Sequence, residues 1–217
     1  MKKLHLLYLL LSSFIGIAQT APSQKITINL KGAPNGKYVQ LAHYYGNNQY
    51  IKVDSSLVSE NQIIFSSDEP YKGGVYLLVL SPDQYYDFVI SGDEPNFSFS
   101  ADTTDFVQSV KFTNSKENEI LFSYRKYIVN KSNEARSLSE QIGKEADFSK
   151  KKALQQKLST LQKEAAEELN KIIQTNQTLF SSKVLKANID PKTPETLPTL
   201  PNGRPDSTYL FNYYKNN

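Results

Sequence analysis

The chain has 217 residues, with 25 basic and 22 acidic side chains, a net charge of +3, two histidines, and neither cysteine nor tryptophan. Thiol nucleophiles, cysteine zinc sites and dithiol redox pairs are excluded by composition. Only one histidine, His43, lies beyond residue 18, so a two-histidine metal site is excluded there too, and the near-neutral charge gives no footprint for nucleic acid.

Residues 1–18 carry Lys2 and Lys3, an apolar run from Leu4 to Ile17, and then Gly16-Ile17-Ala18. This pattern predicts an export signal cleaved before Gln19, because the run is too short for the roughly 20 residues that span a bilayer. Cleavage would place the protein in the periplasm or cell envelope, without an integral membrane span.

From Gln19 to Asn114 the chain alternates. Ile26, Ile28 and Leu30 interleave with Lys25, Thr27, Asn29 and Lys31, the period of a strand with one wet face. The same period recurs at Val39/Leu41, Ile51/Val53, Ile63/Phe65, Phe97/Phe99 and Val110/Phe112, separated by Gly-, Pro- and Asn-rich turns. About eight short strands are expected, as a meandering antiparallel β-sandwich. Val75 to Leu80 is apolar at every position. It reads as a central strand covered on both faces, with helices or a partner over Tyr76, Leu78 and Leu80.

Near Asn114 the period becomes helical and the charge changes sign: residues 19–114 carry 6 basic and 10 acidic side chains, residues 115–180 carry 12 and 9. Asn114 reads as an N-cap with Glu117 behind it, and Ile120, Tyr124, Tyr127, Lys131, Ala135, Leu138 and Ile142 form a stripe. After a break at Gly143–Asp147, a second stripe runs through Leu154, Leu158, Leu161, Ala165, Leu169 and Ile172. Two such helices fold back as an antiparallel hairpin. The fold class is therefore α+β, with a sandwich over 19–114 and a hairpin over 115–182. Residues 183–217 read as a Pro-rich linker leading into an aromatic helix, Tyr209 to Tyr214, capped by Asp206 or Ser207. That short helix reads as the start of a truncated element.

The segments Tyr38-Val39-Gln40-Leu41, Lys52-Val53-Asp54-Ser55, Gly74-Val75-Tyr76-Leu77 and Phe112-Thr113-Asn114-Ser115-Lys116-Glu117-Asn118, with Asp206-Ser207-Thr208-Tyr209 and Phe211-Asn212-Tyr213-Tyr214-Lys215, resemble envelope proteins of Bacteroidota. In that family an N-terminal β domain of unknown function and a helical region precede a thioredoxin-like domain of the thiol:disulfide interchange or peroxiredoxin-related type. The family's redox site is a Cys-x-x-Cys pair, which this chain lacks. The resemblance implies a context, with no catalytic residue and no cofactor carried over.

The remaining signals favour structural roles. His43 is in phase with Val39 and Leu41 and reads as a packed side chain at the sandwich rim. The acid pairs Asp83/Asp87, Asp93/Glu94 and Asp102/Asp105 sit at turns and strand ends, where Asp serves the backbone. Lys150-Lys151-Lys152 reads as a solvated helix start, and no phosphate loop or dinucleotide fingerprint occurs. Tyr44/Tyr45 and Tyr85/Tyr86 are the best candidates for exposure, since adjacent strand residues cannot both point inward. With Tyr76 and Leu78 they form the candidate interaction surface. The reading is a non-catalytic exported module working by protein or interdomain contact. A glycan- or small-ligand-binding module using exposed tyrosines is the alternative, and a carboxylate-dependent hydrolase a more distant one.

Overall fold

A computed structural model describes residues 24–46, 49–189 and 198–216. The signal segment and its cleavage point lie outside the described residues, as does part of the Pro-rich stretch. The described chain runs β1 (Gln24–Lys31), β2 (Tyr38–Gly46), β3 (Gln49–Leu57), β4 (Gln62–Ser67), β5 (Gly74–Ser81), β6 (Gln84–Ile90), β7 (Asn96–Asp102), α1 (Phe106–Ser109), β8 (Lys111–Thr113), α2 (Lys116–Lys144), α3 (Phe148–Thr175), α4 (Phe180–Ala187) and α5 (Ser207–Asn216).

The eight strands form two four-stranded sheets, ordered β4-β1-β7-β8 and β3-β2-β5-β6. Alternation in β1 is complete: Ile26, Ile28 and Leu30 are buried while Lys25, Asn29 and Lys31 are exposed. One core joins both sheets, with Ile26, Phe65 and Phe99 from the first and Leu41, Leu78 and Phe88 from the second. The sandwich is not a pure antiparallel meander, because β1 and β7 pair in parallel, Lys25 to Lys31 against Asn96 to Asp102. A parallel pair needs a long crossover, and the whole second sheet lies within that connection.

Aromatic rings carry the core from the sandwich into the helices. Tyr86 stacks on Phe106 at 4.0 Å, Phe106 meets Phe99 and Phe122, and Phe112 lies between Phe99 and Phe122. Phe122 and Leu121 are the last fully buried residues of α2. Beyond them Tyr124, Tyr127, Ala135, Leu138 and Ile142 are only half-buried, facing α3. α3 begins directly after the expected break, capped by Asp147 accepting from the Lys150 amide, and its stripe buries Leu161 alone.

Two expectations about the helices are corrected. The cap of α2 is Ser115, whose hydroxyl accepts from the Asn118 amide, while Asn114 sits at φ 61°, a left-handed conformation that Asn tolerates and a capping residue does not use. The linker also does not begin at residue 183: α4 runs from Phe180 to Ala187, with Leu185 in the core. Its N-terminal residue lacks a side-chain cap of its own. Glu117 supplies one from a distance, accepting from the Phe180 and Ser181 amides at 2.9 and 2.7 Å. A cap borrowed from 63 residues away leaves no local signature.

Candidate functional site

The joint between sandwich and hairpin is held by a set of buried and part-buried polar contacts. Glu94 accepts from the Ser115 hydroxyl at 2.7 Å and the Glu117 amide at 3.1 Å, satisfying the start of α2. Asn118, fully buried, accepts from the Val89 amide and donates to its carbonyl, both at 2.8 Å. β6 is the edge of its sheet, so Asn118 fills the place of a missing strand there. Farther along, Arg125 holds both Asp87 carboxylate oxygens, at 3.0 and 2.5 Å, and Lys126 donates to the Val110 carbonyl at 2.6 Å.

This joint accounts for two of the six paired acids, and a third caps α1. Asp87 clamps Arg125 and Glu94 caps α2, while Asp105 caps α1. Asp102 binds Lys31 at 2.8 Å and closes a turn through Thr104, and the lysine chiefly holds its carboxyl well below the usual range. None of these pairs faces a shared cavity with two free carboxylates, the arrangement that glycoside hydrolysis needs.

His43 lies at the sandwich rim, edge-on to Tyr45 at 4.5 Å and Tyr76 at 4.7 Å. It rests against Gly74, where a Cβ would stand 2.1 Å from Nε2, so the close approach requires glycine. Both ring nitrogens are buried without a hydrogen-bond partner, and no acid or hydroxyl orients the ring as a general base. Beside it the Tyr71 hydroxyl donates to Asp54 at 2.6 Å, and the Tyr76 hydroxyl to the Lys72 carbonyl at 2.7 Å. Burial pushes the Tyr76 phenol up to about 12, and burial followed by the Asp54 bond raises Tyr71 further.

The candidate surface residues divide into three groups, with Tyr45 both packed on His43 and 58% exposed. Tyr76 and Leu78, 1% and 0% exposed, face the sandwich core and form no surface. The first sheet covers them, because β5 takes its phase from β2, where Leu41 sits opposite Leu78. Tyr86 turns inward to stack on Phe106 and donates to the Thr103 carbonyl. Tyr45 packs edge-on against His43. Tyr44 and Tyr85, 37% and 58% exposed, stand on the opposite, outer face.

There they wall a groove of about 470 Å³. Val75, Leu77 and Val79 make its floor, Tyr50 adds to the wall, and Pro82 and Asp87 complete the lining. The fully apolar strand thus spends one face in the core and the other in this groove. Sequence alone brought Tyr44 and Tyr85 forward and missed Tyr50, Val75, Leu77, Val79, Pro82 and Asp87. The signal for the floor was present in the unbroken apolar run, whose Tyr76, Leu78 and Leu80 face was expected to lie under helices or a partner.

A larger cleft, about 820 Å³, lies between α2 and α3. Its walls include Glu134, Gln141, Lys157 and Glu164, so it is the wet flank of a two-helix pair. Among the described residues no group of three or more His, Asp or Glu is arranged to hold a metal ion, and no helix is long and apolar enough to cross a membrane.

Residues 24–121 match the family described as a domain of unknown function, DUF4369. The matched stretch covers all eight strands and ends at Leu121, where α2 is still docked on the sandwich. Ser115, Glu117 and Asn118 thus fall within the region of similarity to DUF4369, and most of the hairpin falls outside it. No curated protein and no solved structure gives a significant match.

Proposed function

We propose that this chain is a non-catalytic accessory module of an exported cell-envelope protein, working by protein contact through the outer face of its second sheet. The observation that carries this reading is the tyrosine-walled groove over Val75, Leu77 and Val79, an apolar concavity beside the joint that holds the hairpin. Tyrosine walls around an aliphatic floor are the composition of a contact surface for another chain. The resemblance to envelope proteins that continue into a thioredoxin-like domain supports a role in positioning such a domain.

A sugar- or small-ligand-binding role is the second reading, favoured by the concavity and the exposed rings of Tyr44, Tyr50 and Tyr85. Sugar recognition also needs convergent polar groups, and the groove's one carboxylate is already bound by Arg125.

A photocrosslinking residue at position 85, with one at the still more exposed Tyr38 as control, tests the proposal in an exporting cell. Protein recovered from the periplasm should begin at Gln19 and crosslink to a defined partner from position 85 alone. Retention in the cytoplasm with Met1 intact, or equal capture from both positions, would overturn it.

A further inference from the structure

We infer that the free tip of the α2–α3 hairpin is a peripheral contact for an anionic lipid bilayer, with Phe148 entering the headgroup boundary and the lysines around it meeting lipid phosphates. The tip shares no residue with the groove, so this contact is additional to the one proposed there.

Charge placement is the first observation. Lys144 closes α2, and Lys150, Lys151 and Lys152 open α3 on the other side of the short break. A cation at a helix C-terminus answers the macrodipole, so Lys144 has a local explanation. The other three do not. Positive charge opposes the dipole at a helix start, where Asp147 is the cap and the first turn itself holds no acid. Lower on the arm, Lys131 binds Glu164 at 3.0 Å and Lys163 lies 3.6 Å from Glu167, yet no ion pair among the described residues includes any of the four tip lysines. The two acids of the break are turned to backbone instead, Glu145 accepting from the Asp147 amide and Asp147 from the Lys150 amide, both at 2.9 Å. The tip is left with an excess of unpaired cations.

The second observation is Phe148, more exposed than any other large apolar side chain among the described residues. An aromatic ring ringed by lysines has the make-up of an interfacial anchor, the ring entering the acyl boundary while the cations stay at the headgroups. From Phe122, the last buried residue of α2, the helix rises about 33 Å to Lys144 at about 1.5 Å per residue. The arm buries little of its own stripe, and what it does is carry this tip away from the core.

Area decides the kind of partner. Two helix ends side by side, each about 10 Å across, offer on the order of 200 Å², whereas a stable protein interface takes about 800 Å² from each side. A bilayer needs no matched surface. Each lysine close to an anionic leaflet multiplies binding about fivefold, and the ring adds to that without shape complementarity.

The chain has no tryptophan, so Phe148→Trp places a sole fluorescent reporter at the tip and Tyr38→Trp places one on the exposed sandwich surface as control. The exported chain carrying either one is titrated with vesicles of phosphatidylglycerol and phosphatidylcholine in equal parts, with vesicles of phosphatidylcholine alone, and with polyglutamate. Emission from position 148 should shift saturably to the blue, and be quenched by bromine-labelled lipid, with the anionic vesicles only. Position 38 should not respond. Adding Lys150→Gln and Lys152→Gln, both exposed, should leave the helical circular dichroism unchanged and weaken binding about 25-fold, fivefold for each charge. The inference is overturned by no blue shift with anionic vesicles, by an equal shift with neutral ones, by an equal response at position 38, or by affinity indifferent to the lysine substitutions. A response to polyglutamate in place of vesicles also overturns it, and makes the partner an acidic chain.

Discussion

In the sandwich, side chains from two sheets close on one another, so that Ile26, Leu41, Phe65, Leu78 and Phe88 are all fully buried in one core. In the hairpin, α3 runs 28 residues and buries Leu161 alone, and every buried residue of α2 lies in its first two turns. A sheet pair removes a whole face from water, whereas two helices alone cover only a narrow stripe on each other. The hairpin therefore depends on its base, where Glu94, Glu117 and Asn118 attach it to an already complete core. Phe148, 81% exposed at the far tip, shows how little packing remains at that end.

The sharpest way to break the comparison is to remove matched apolar volume from each region. Leu78→Ala should cost about 3–5 kcal/mol in urea unfolding, as leucine truncation in a closed core does, while Leu158→Ala in α3 should cost well under about 2 kcal/mol. Equal losses would mean that the hairpin has a core of its own.

A cut at the joint should come next. Asn118→Ala leaves the Val89 amide and carbonyl buried without partners, for an expected loss of about 2–3 kcal/mol. Hydrogen exchange should rise along β6 and the start of α2 together. Exchange confined to α2 would show that the strand edge does not need this side chain.

Alkaline titration separates the regions by chemistry. The Tyr76 phenol is raised above its unfolded value, so the stability it contributes is complete below about pH 10 and is lost as pH rises toward about 12. The loss should be on the order of 1–2 kcal/mol, read as a falling melting temperature, and the Tyr71→Phe/Tyr76→Phe double variant should flatten that slope. An unchanged slope would place the alkaline sensitivity elsewhere, in the hairpin or at its lysines.

The smallest expected effect is at the borrowed cap. Glu117→Gln keeps the shape but loses one acceptor and the charge at the start of α4, costing about 1 kcal/mol, with exchange rising at residues 180–187 ahead of the rest. Uniform exchange would mean that α4 unfolds only with the whole sandwich.

Much of the architecture was legible in the sequence because it is written in local periods. Alternation every second residue marks the strands, and the stripes through Tyr124–Ile142 and Leu154–Ile172 mark the helices and their facing sides. The start of α3 near Asp147 was legible, and Asp206, one of two caps read for the last helix, accepts from amides two and three residues ahead. α4 was not legible, since its stabilising contacts with Glu117 and the core come from distant chain. Of the groove's eight lining residues, Tyr44 and Tyr85 were legible: adjacent tyrosines point to opposite faces, so at least one of each pair had to be exposed.

By itself, then, the sequence determined the element types, the change of architecture near Asn114, and the exclusion of thiol chemistry, because period and composition are properties of neighbouring residues. Tertiary structure alone decided the parallel pairing of β1 with β7, the burial of Tyr76 and Leu78, and the outward turn of Val75, Leu77 and Val79. A side-chain period of two says that faces alternate, but only pairing with β2 says which face meets the opposite sheet.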